Sequence, residues 1–286
     1  MRNDTLTVII PALNEGPHLN NVLSELRQEC GDFIETVVVI DDGSSDDTGR
    51  VAADAGAVVI THPSNLGYGA SLKSGLRHAV TSHIATFDAD GQHRAADLRR
   101  LWESRAGSAM VVGARQRLLH SPLWRMPGKW MLGVLAAYLV KRPIPDLNSG
   151  LRLVTRDVAM RYAHLCPRGF SMSTTLTMAV MTRGWPVTFL PIDVRPRTGQ
   201  STVTVTTGLE TVVLLLRIIC LFNPLRLFVP AAAVVALAGI AWGIPYAAAG
   251  RGMSVGAMLA IVTATLLFSL GLICDQVSQL RLERHE

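Results

Sequence analysis

Two apolar runs near the end of this 286-residue chain limit what it can fold into more than any other feature. Leu227–Ala249 and Met253–Ile273 each supply roughly the twenty apolar residues that a helix needs to cross the hydrocarbon of a bilayer. The link between them is short and carries Arg251, and Pro230 and Pro245 lie near the ends of the first run. The pattern predicts a transmembrane hairpin rather than the buried helical hairpin of a soluble protein. Arg217 and Arg226 precede it, while Arg281 and Arg284 follow it. The preference of such cations for the cytoplasmic side predicts a multi-pass protein of the inner membrane, with both termini and everything before the hairpin in the cytoplasm. Just upstream, Val212–Phe222 is apolar around Arg217 and reads as a helix lying along the membrane surface.

The hairpin explains the bulk composition. Apolar residues make up 49% of the chain and charged ones 17%, and the excess lies after Thr206. The organisation expected is therefore a domain over 1–205, a juxtamembrane amphipathic helix over 206–226, and the hairpin with a short basic tail over 227–286. A net charge of +5 and a pI near 9.3 suit an anionic partner such as a phosphate or a lipid headgroup. There is no aromatic-interleaved basic patch, zinc spacing or basic helix, so nucleic acid is not an expected partner. Cys30, Cys166, Cys220 and Cys274 are far apart and form no CxxC, as in a reduced, cytoplasm-facing chain. Only a few polar residues precede the apolar run at Leu6, and no signal peptide is expected.

The first domain alternates β-branched runs with helical stretches. Leu6–Ile10, Thr36–Ile40, Ala57–Ile60, His83–Phe87 and Ala109–Val112 read as strands, and Thr188–Val194 as a later one. Between them, Pro17 opens a helix with Leu19, Val22, Leu23 and Leu26 at helical spacing. Ser44 or Ser45 is expected to cap a second helix, with Asp46 and Asp47 in its first turn. Tyr68–Val80 and Ala95–Glu103 complete the set. Such alternation predicts an α/β fold with a mostly parallel central sheet, which binds ligands beyond the carboxyl ends of its strands. A further stretch, Leu123–Val140, is helical and apolar but carries Arg125 and Lys129. Its apolar part is too short to span. A core helix and an interfacial helix both fit, and Trp124 and Trp130 among cations favour the interface.

The most chemical stretch is Phe87-Asp-Ala-Asp-Gly-Gln-His93. Asp88 and Asp90, two apart where a strand meets a turn, can converge on one hard cation, with Gln92 adding a neutral oxygen. Mg²⁺ or Mn²⁺ takes such oxygen ligands and shares them with substrate phosphates. A solvated Asx turn is the plain alternative.

Four motifs occur in order: Val8-Ile-Ile-Pro-Ala-Leu-Asn-Glu15, Asp41-Asp-Gly-Ser-Ser-Asp-Asp-Thr48, Asn65-Leu-Gly-Tyr-Gly-Ala70 and Asp88-Ala-Asp-Gly-Gln92. Together they resemble family 2 glycosyltransferases of the GT-A nucleotide-diphospho-sugar transferase fold, over roughly Thr5 to Ser201. Gly113-Ala-Arg115, Asp146-Leu-Asn-Ser-Gly-Leu-Arg152 and Arg197-Thr-Gly-Gln-Ser201 are similar to the polyprenyl-phosphate branch, which includes dolichol-phosphate mannosyltransferases and undecaprenyl-phosphate glycosyltransferases. The resemblance implies a nucleotide-sugar donor of the GDP-mannose or UDP-glucose type and a divalent metal, Mg²⁺ or Mn²⁺, held by Asp88, Asp90 and Gln92. It implies that Asp88 also meets the ribose and that Ala89 beside it binds the nucleotide-sugar. Glu15 and Asp42 can accept hydrogen bonds from base or ribose, beside a backbone wall of Pro11 and Ala12. Either Asp41 or Asp42 is expected to serve only as a helix-capping turn. Lys73 can face the diphosphate or simply the solvent.

For the acceptor, a lipid phosphate needs cations, preferably bidentate guanidinium. Arg115 and Arg197 are the expected partners, with Asp90 completing the catalytic set. Lys129 and Ser201 are further candidates, and Arg195 competes with Arg197. Many relatives carry a carboxylate in the segment matching Phe170-Ser-Met-Ser-Thr-Thr175, where this chain has none. A sugar hydroxyl needs a base to remove its proton, whereas a phosphate does not. The expectation is an inverting transfer of a hexose to a polyprenyl phosphate on the cytoplasmic leaflet, in a chain that can form homo-oligomers. The rivals are transfer to another glycolipid or polysaccharide, and a non-catalytic membrane protein that binds nucleotide-sugar. The chain lacks the Gln-x-x-Arg-Trp motif of processive synthases.

Overall fold

The computed structural model describes residues 4–115, 137, 138, 140, 142–167, 172–195 and 216–283. The chain divides into two compact units after Thr207.

The elements of the first unit are β1 (Leu6–Ala12), α1 (Gly16–Cys30), β2 (Ile34–Asp41), α2 (Thr48–Asp54), β3 (Val58–Thr61), α3 (Tyr68–His78), β4 (His83–Thr86), α4 (Ala95–Glu103), β5 (Met110–Arg115), β6 (Arg152–Thr155), α5 (Arg156–Ala163), α6 (Met172–Thr182) and β7 (Val187–Ile192). The strands form one seven-stranded sheet in the order β3-β2-β1-β4-β6-β5-β7. β1 is buried along almost its whole length, as a central strand covered on both faces must be. Its parallel register sets Ala12 beside Asp41 of β2 and Ile9 beside Thr86 of β4. The chain therefore leaves β1, β2 and β4 at one edge. Leu19, Val22, Leu23 and Leu26 of α1 and Leu98 and Leu101 of α4 join the core against this sheet, each burial contributing about 1.5–3 kcal/mol.

Three features differ from expectation. α2 begins at Thr48, so neither Ser44 nor Ser45 caps it and Asp46 and Asp47 precede it. Those serines are drawn toward Asn14 instead: Ser44 Oγ accepts from Asn14 N (3.0 Å), and Ser45 N donates to Asn14 Oδ1 (2.8 Å). Asp46 bridges the two helix starts, accepting from Thr48 N (3.0 Å) and Gly16 N (3.2 Å). Secondly, β6 lies between β4 and β5 and runs antiparallel to both. It is four residues long and begins with an arginine, so it carries no strand signal. Thirdly, α6 is buried at every residue from Met172 to Met181, which leaves no amphipathic period to read.

In the second unit, residues 216–222 are helical, followed by α7 (Leu225–Ala248) and α8 (Val255–Glu283). α7 and α8 pack through small residues: a side chain on Gly239 would come within 2.7 Å of Ala260 Cβ. Both are long and apolar enough to cross a membrane, with mean hydropathy of 2.2 and 2.3. α8 continues past the expected end at Ile273 to Glu283. Its Ser278 hydroxyl donates to the Leu221 carbonyl, tying the 216–222 helix to α8. Residues 212–215, and 123–140 apart from 137, 138 and 140, lie outside the described residues.

Candidate active site

The edge where β1, β2 and β4 end gathers the polar motifs. The β1 and β2 loops lace together there. Ala12 O accepts from Asp42 N (2.9 Å), Glu15 N donates to Thr48 Oγ1 (3.0 Å), and Asn14 takes a left-handed φ of 56°, a conformation asparagine tolerates. Pro11 is partly exposed in this wall and Ala12 is buried. Glu15 stands just ahead of α1 at the same edge.

The two aspartates at the end of β2, Asp41 and Asp42, both hold loops. Asp41 accepts from Ser44 N (2.9 Å) and closes its own turn. Asp42 is buried and accepts from three donors: His62 Nδ1 (2.6 Å), Leu66 N (2.9 Å) and Gly67 N (2.8 Å). His62 Nε2 meets Ser74 Oγ at 2.9 Å. Burial pushes the Asp42 carboxyl up, but the His62 and backbone hydrogen bonds outweigh it and hold the group below its ordinary 3.8. A depressed folded value contributes stability that is present above about pH 4 and is lost as pH falls through that lower value. Asp42→Asn is expected to cost about 1.5–3 kcal/mol at neutral pH. It should also flatten the loss of stability below pH 4, as urea titrations at several pH values would show.

Asp88 follows β4. Its Oδ1 accepts from Tyr68 Oη (3.3 Å), and His93 Nε2 lies 3.3 Å from its Oδ2. The chain at Gly150 passes so close that a Cβ there would sit 1.9 Å from Asp88 Oδ2. Burial pushes Asp88 up, yet His93, Tyr68 and the Arg115 charge hold it below the ordinary carboxylate value. Among the described residues, His93 Nδ1 and Ser149 Oγ are buried without a hydrogen-bond partner. Ala89, placed with Asp88 at the nucleotide-sugar site, is buried. Gly91, with φ 71°, turns the chain, and Asp90 Oδ1 accepts from Gln92 N (3.0 Å). Gln92 Nε2 donates to Arg195 O (3.3 Å), which leaves Oε1 as its oxygen donor. Two carboxylates and a carboxamide oxygen suit a hard divalent ion that draws its other ligands from substrate phosphates. Among the described residues no group of three or more His, Cys, Asp or Glu side chains is placed to hold a metal ion.

Arg115 closes β5. It makes a bidentate pair with buried Asp146, Nε to Oδ2 at 2.7 Å and Nη2 to Oδ1 at 3.0 Å. Lys73, considered for the diphosphate, donates its ammonium to the Cys166 carbonyl instead. Arg195 pairs with Glu25 (2.9 and 3.1 Å), and its backbone N donates to Gln92 O (2.9 Å). Of the two rival arginines, Arg195 thus already has a carboxylate. Arg197, Ser201 and Lys129 lie outside the described residues. Of the segment 170–175, the described residues Ser173, Thr174 and Thr175 are buried, and Thr174 Oγ1 donates to Asn148 Oδ1 (2.7 Å).

Tyr68, His93, Asp146, Gly150 and Arg152 were each part of a quoted motif, but sequence reasoning assigned none of them a role. What distinguishes them is their packing against one another and against Asp88, Arg115 and the 146–152 loop, which the order of residues does not display.

The family model described as Glycosyl transferase family 2 matches residues 7–163, and one described as GtrB C-terminal hairpin matches 223–280. An uncharacterized glycosyltransferase of Mycobacterium tuberculosis is 31% identical over 202 residues, covering 70% of this chain and 89% of its own. The polyprenol monophosphomannose synthase of Mycolicibacterium smegmatis is 28% identical over 214 residues, covering 66% of this chain and 77% of that one. Among solved structures, glucosyl-3-phosphoglycerate synthase of M. tuberculosis, in complex with Mn²⁺, UDP-glucose and phosphoglyceric acid, superposes with a TM-score of 0.62 at 17% identity. It covers 76% of this chain and 79% of that one. The likeness establishes the GT-A-like fold.

Proposed function

Because the chain belongs to glycosyl transferase family 2, we propose that it transfers a hexose from a nucleotide-diphospho-sugar to a polyprenyl phosphate at the cytoplasmic face of a membrane. The observation that carries this reading is that one segment ties two charges together: Asp146 pairs with Arg115, a guanidinium suited to an acceptor phosphate, and Gly150 of the same segment packs against Asp88, the first carboxylate of the Asp-Ala-Asp turn. The name of the mycolicibacterial relative and the two apolar helices support the same acceptor.

In this reading the lacing of Asn14, Ser44 and Ser45 holds the wall for the nucleotide, with Pro11, Ala12 and Glu15 along it. Asp42 and His62 hold the 62–67 loop rather than reading the base directly. Asp88, Asp90 and Gln92 would hold Mg²⁺ or Mn²⁺, which when bound neutralises the departing diphosphate. A phosphate oxygen of the lipid attacks the anomeric carbon from the face opposite the diphosphate. The bond from that carbon to the diphosphate oxygen breaks, its electrons leave with the nucleotide diphosphate, and the configuration inverts. The acceptor is already anionic and needs no base, in keeping with the buried hydroxyls at 173–175. Arg115 and Arg197 hold the acceptor phosphate, with Lys129 and Ser201 near it. Residues 1–205 act as the catalytic domain, 206–226 as the juxtamembrane helix and 227–286 as the anchor.

Incubation of membranes with radiolabelled UDP-glucose, GDP-mannose and related donors tests the reading, and polyprenyl phosphate should produce organic-extractable label. Label that stays in water, or that appears equally with unphosphorylated polyprenol, would overturn it. Deleting residues after Thr206 should weaken transfer to membrane-embedded lipid while sparing UDP or GDP binding. Equal transfer by the truncated chain would remove the anchor from the account.

A further inference from the structure

We propose that Asp146 is a positioning residue for this transfer: its buried carboxylate grips one edge of Arg115 and leaves the opposite edge of the guanidinium free for the acceptor phosphate. The inference rests on the acceptor reading above and names the residue that makes Arg115 fit for it.

Arginine presents five N–H donors in a planar fork. Asp146 takes the side edge, through Nε and Nη2, and also accepts from the Arg115 backbone N at 3.3 Å. Among the described residues Nη1 has no partner. The side chain of Asp146 is 5% exposed and that of Arg115 is 33% exposed, so the carboxylate is sealed while part of the arginine side chain stays open.

Asp146 does not depend on Arg115 for its own place. Its Oδ1 accepts from Asn148 N (2.9 Å), and the loop behind it is clamped by Arg152. That buried guanidinium donates to Ser149 O (2.8 Å), to Leu147 O (2.6 Å), and to Ser173 O and Thr177 Oγ1. The same loop passes Gly150 against Asp88 with no room for a side chain. One segment, 146–152, thereby sets the place of the Arg115 fork and of the first carboxylate of the Asp-Ala-Asp turn together. Fixing a long, rotamer-rich side chain before the ligand arrives removes an entropic cost from binding. A carboxylate does this better than an amide, because only a carboxylate accepts both fork hydrogens.

The test uses the full chain in nanodiscs, with undecaprenyl monophosphate and undecaprenol as probes, and ³¹P NMR and calorimetry as readouts. UDP and GDP binding with Mn²⁺ serves as the donor-side control. Wild type should bind the phosphate better than the alcohol. Asp146→Asn should weaken phosphate binding about 10- to 100-fold, the loss seen when the outer partner of a metal ligand is removed, and leave UDP and GDP binding unchanged. The double variant with Arg115→Ala should be no worse than Arg115→Ala alone, because Asp146 acts through Arg115. Should Asp146→Asn fail to fold, Asp146→Glu carries the test. Its longer arm displaces the fork, so phosphate binding should fall while UDP and GDP binding hold. Unchanged phosphate binding in the folded variants, or losses additive with Arg115→Ala, would overturn the positioning role and leave the acceptor reading standing. Equal binding of phosphate and alcohol by wild type would overturn the acceptor reading itself, and the positioning role with it.

Discussion

Asp90→Asn is expected to lower transfer about a thousandfold, the loss of several kcal/mol of charge stabilisation at the leaving diphosphate. The fold should persist. Asp90 is partly exposed on a turn closed by the Gln92 N–H, and an asparagine oxygen can accept that hydrogen bond. What the substitution removes is a charge, with shape nearly unchanged. EDTA should have the same effect, and Mg²⁺ or Mn²⁺ should restore activity. Circular dichroism and initial rates on one preparation separate the two quantities. Full turnover in excess chelator would remove the metal from the account.

Arg115→Ala should damage two properties at once. Acceptor kcat/KM should fall by about 10- to 100-fold, since each charge-assisted hydrogen bond contributes about 1.5–3 kcal/mol. Stability should also fall by about 3 kcal/mol, because Asp146 would keep its buried charge without its partner. This figure is the low end for such pairs, as Arg115 itself is one-third exposed. Arg115→Lys should recover much of the stability and little of the kcat/KM, because a point charge can balance Asp146 but cannot serve both edges of the fork. Urea titrations and acceptor-saturation curves give the two readouts. A lysine variant with wild-type kcat/KM would show that charge alone is needed there.

How much of this was legible in the sequence depends on how local the signal is. The strands at Leu6, Thr36 and His83 were plain because buried parallel strands are short apolar runs bounded by polar turns, and those turns carry the motifs. Their arrival at one sheet edge followed from the alternation of strand and helix. β6 and α6 were hidden for opposite reasons. β6 is short and starts with the buried Arg152, while α6 is buried all round and has no polar face to set a period. At the site, the sequence displays charges but not their partners. Asp42 looks like a free acceptor until Leu66, Gly67 and His62 are seen to occupy it. Lys73 and Arg195 look available until Cys166 and Glu25 are seen beside them. Asp146 sits inside a visible motif, yet its pairing with Arg115 joins residues 31 apart in sequence.

The claim that a lipid phosphate is the nucleophile is tested most directly by the bond that the enzyme makes. A donor carrying ¹³C at the anomeric carbon, identified from the radiolabel screen, should yield with undecaprenyl phosphate a lipid whose labelled carbon couples to ³¹P. Its anomeric configuration should be opposite to that of the donor. A labelled product with no carbon–phosphorus coupling, or one that retains the donor configuration, would contradict the account.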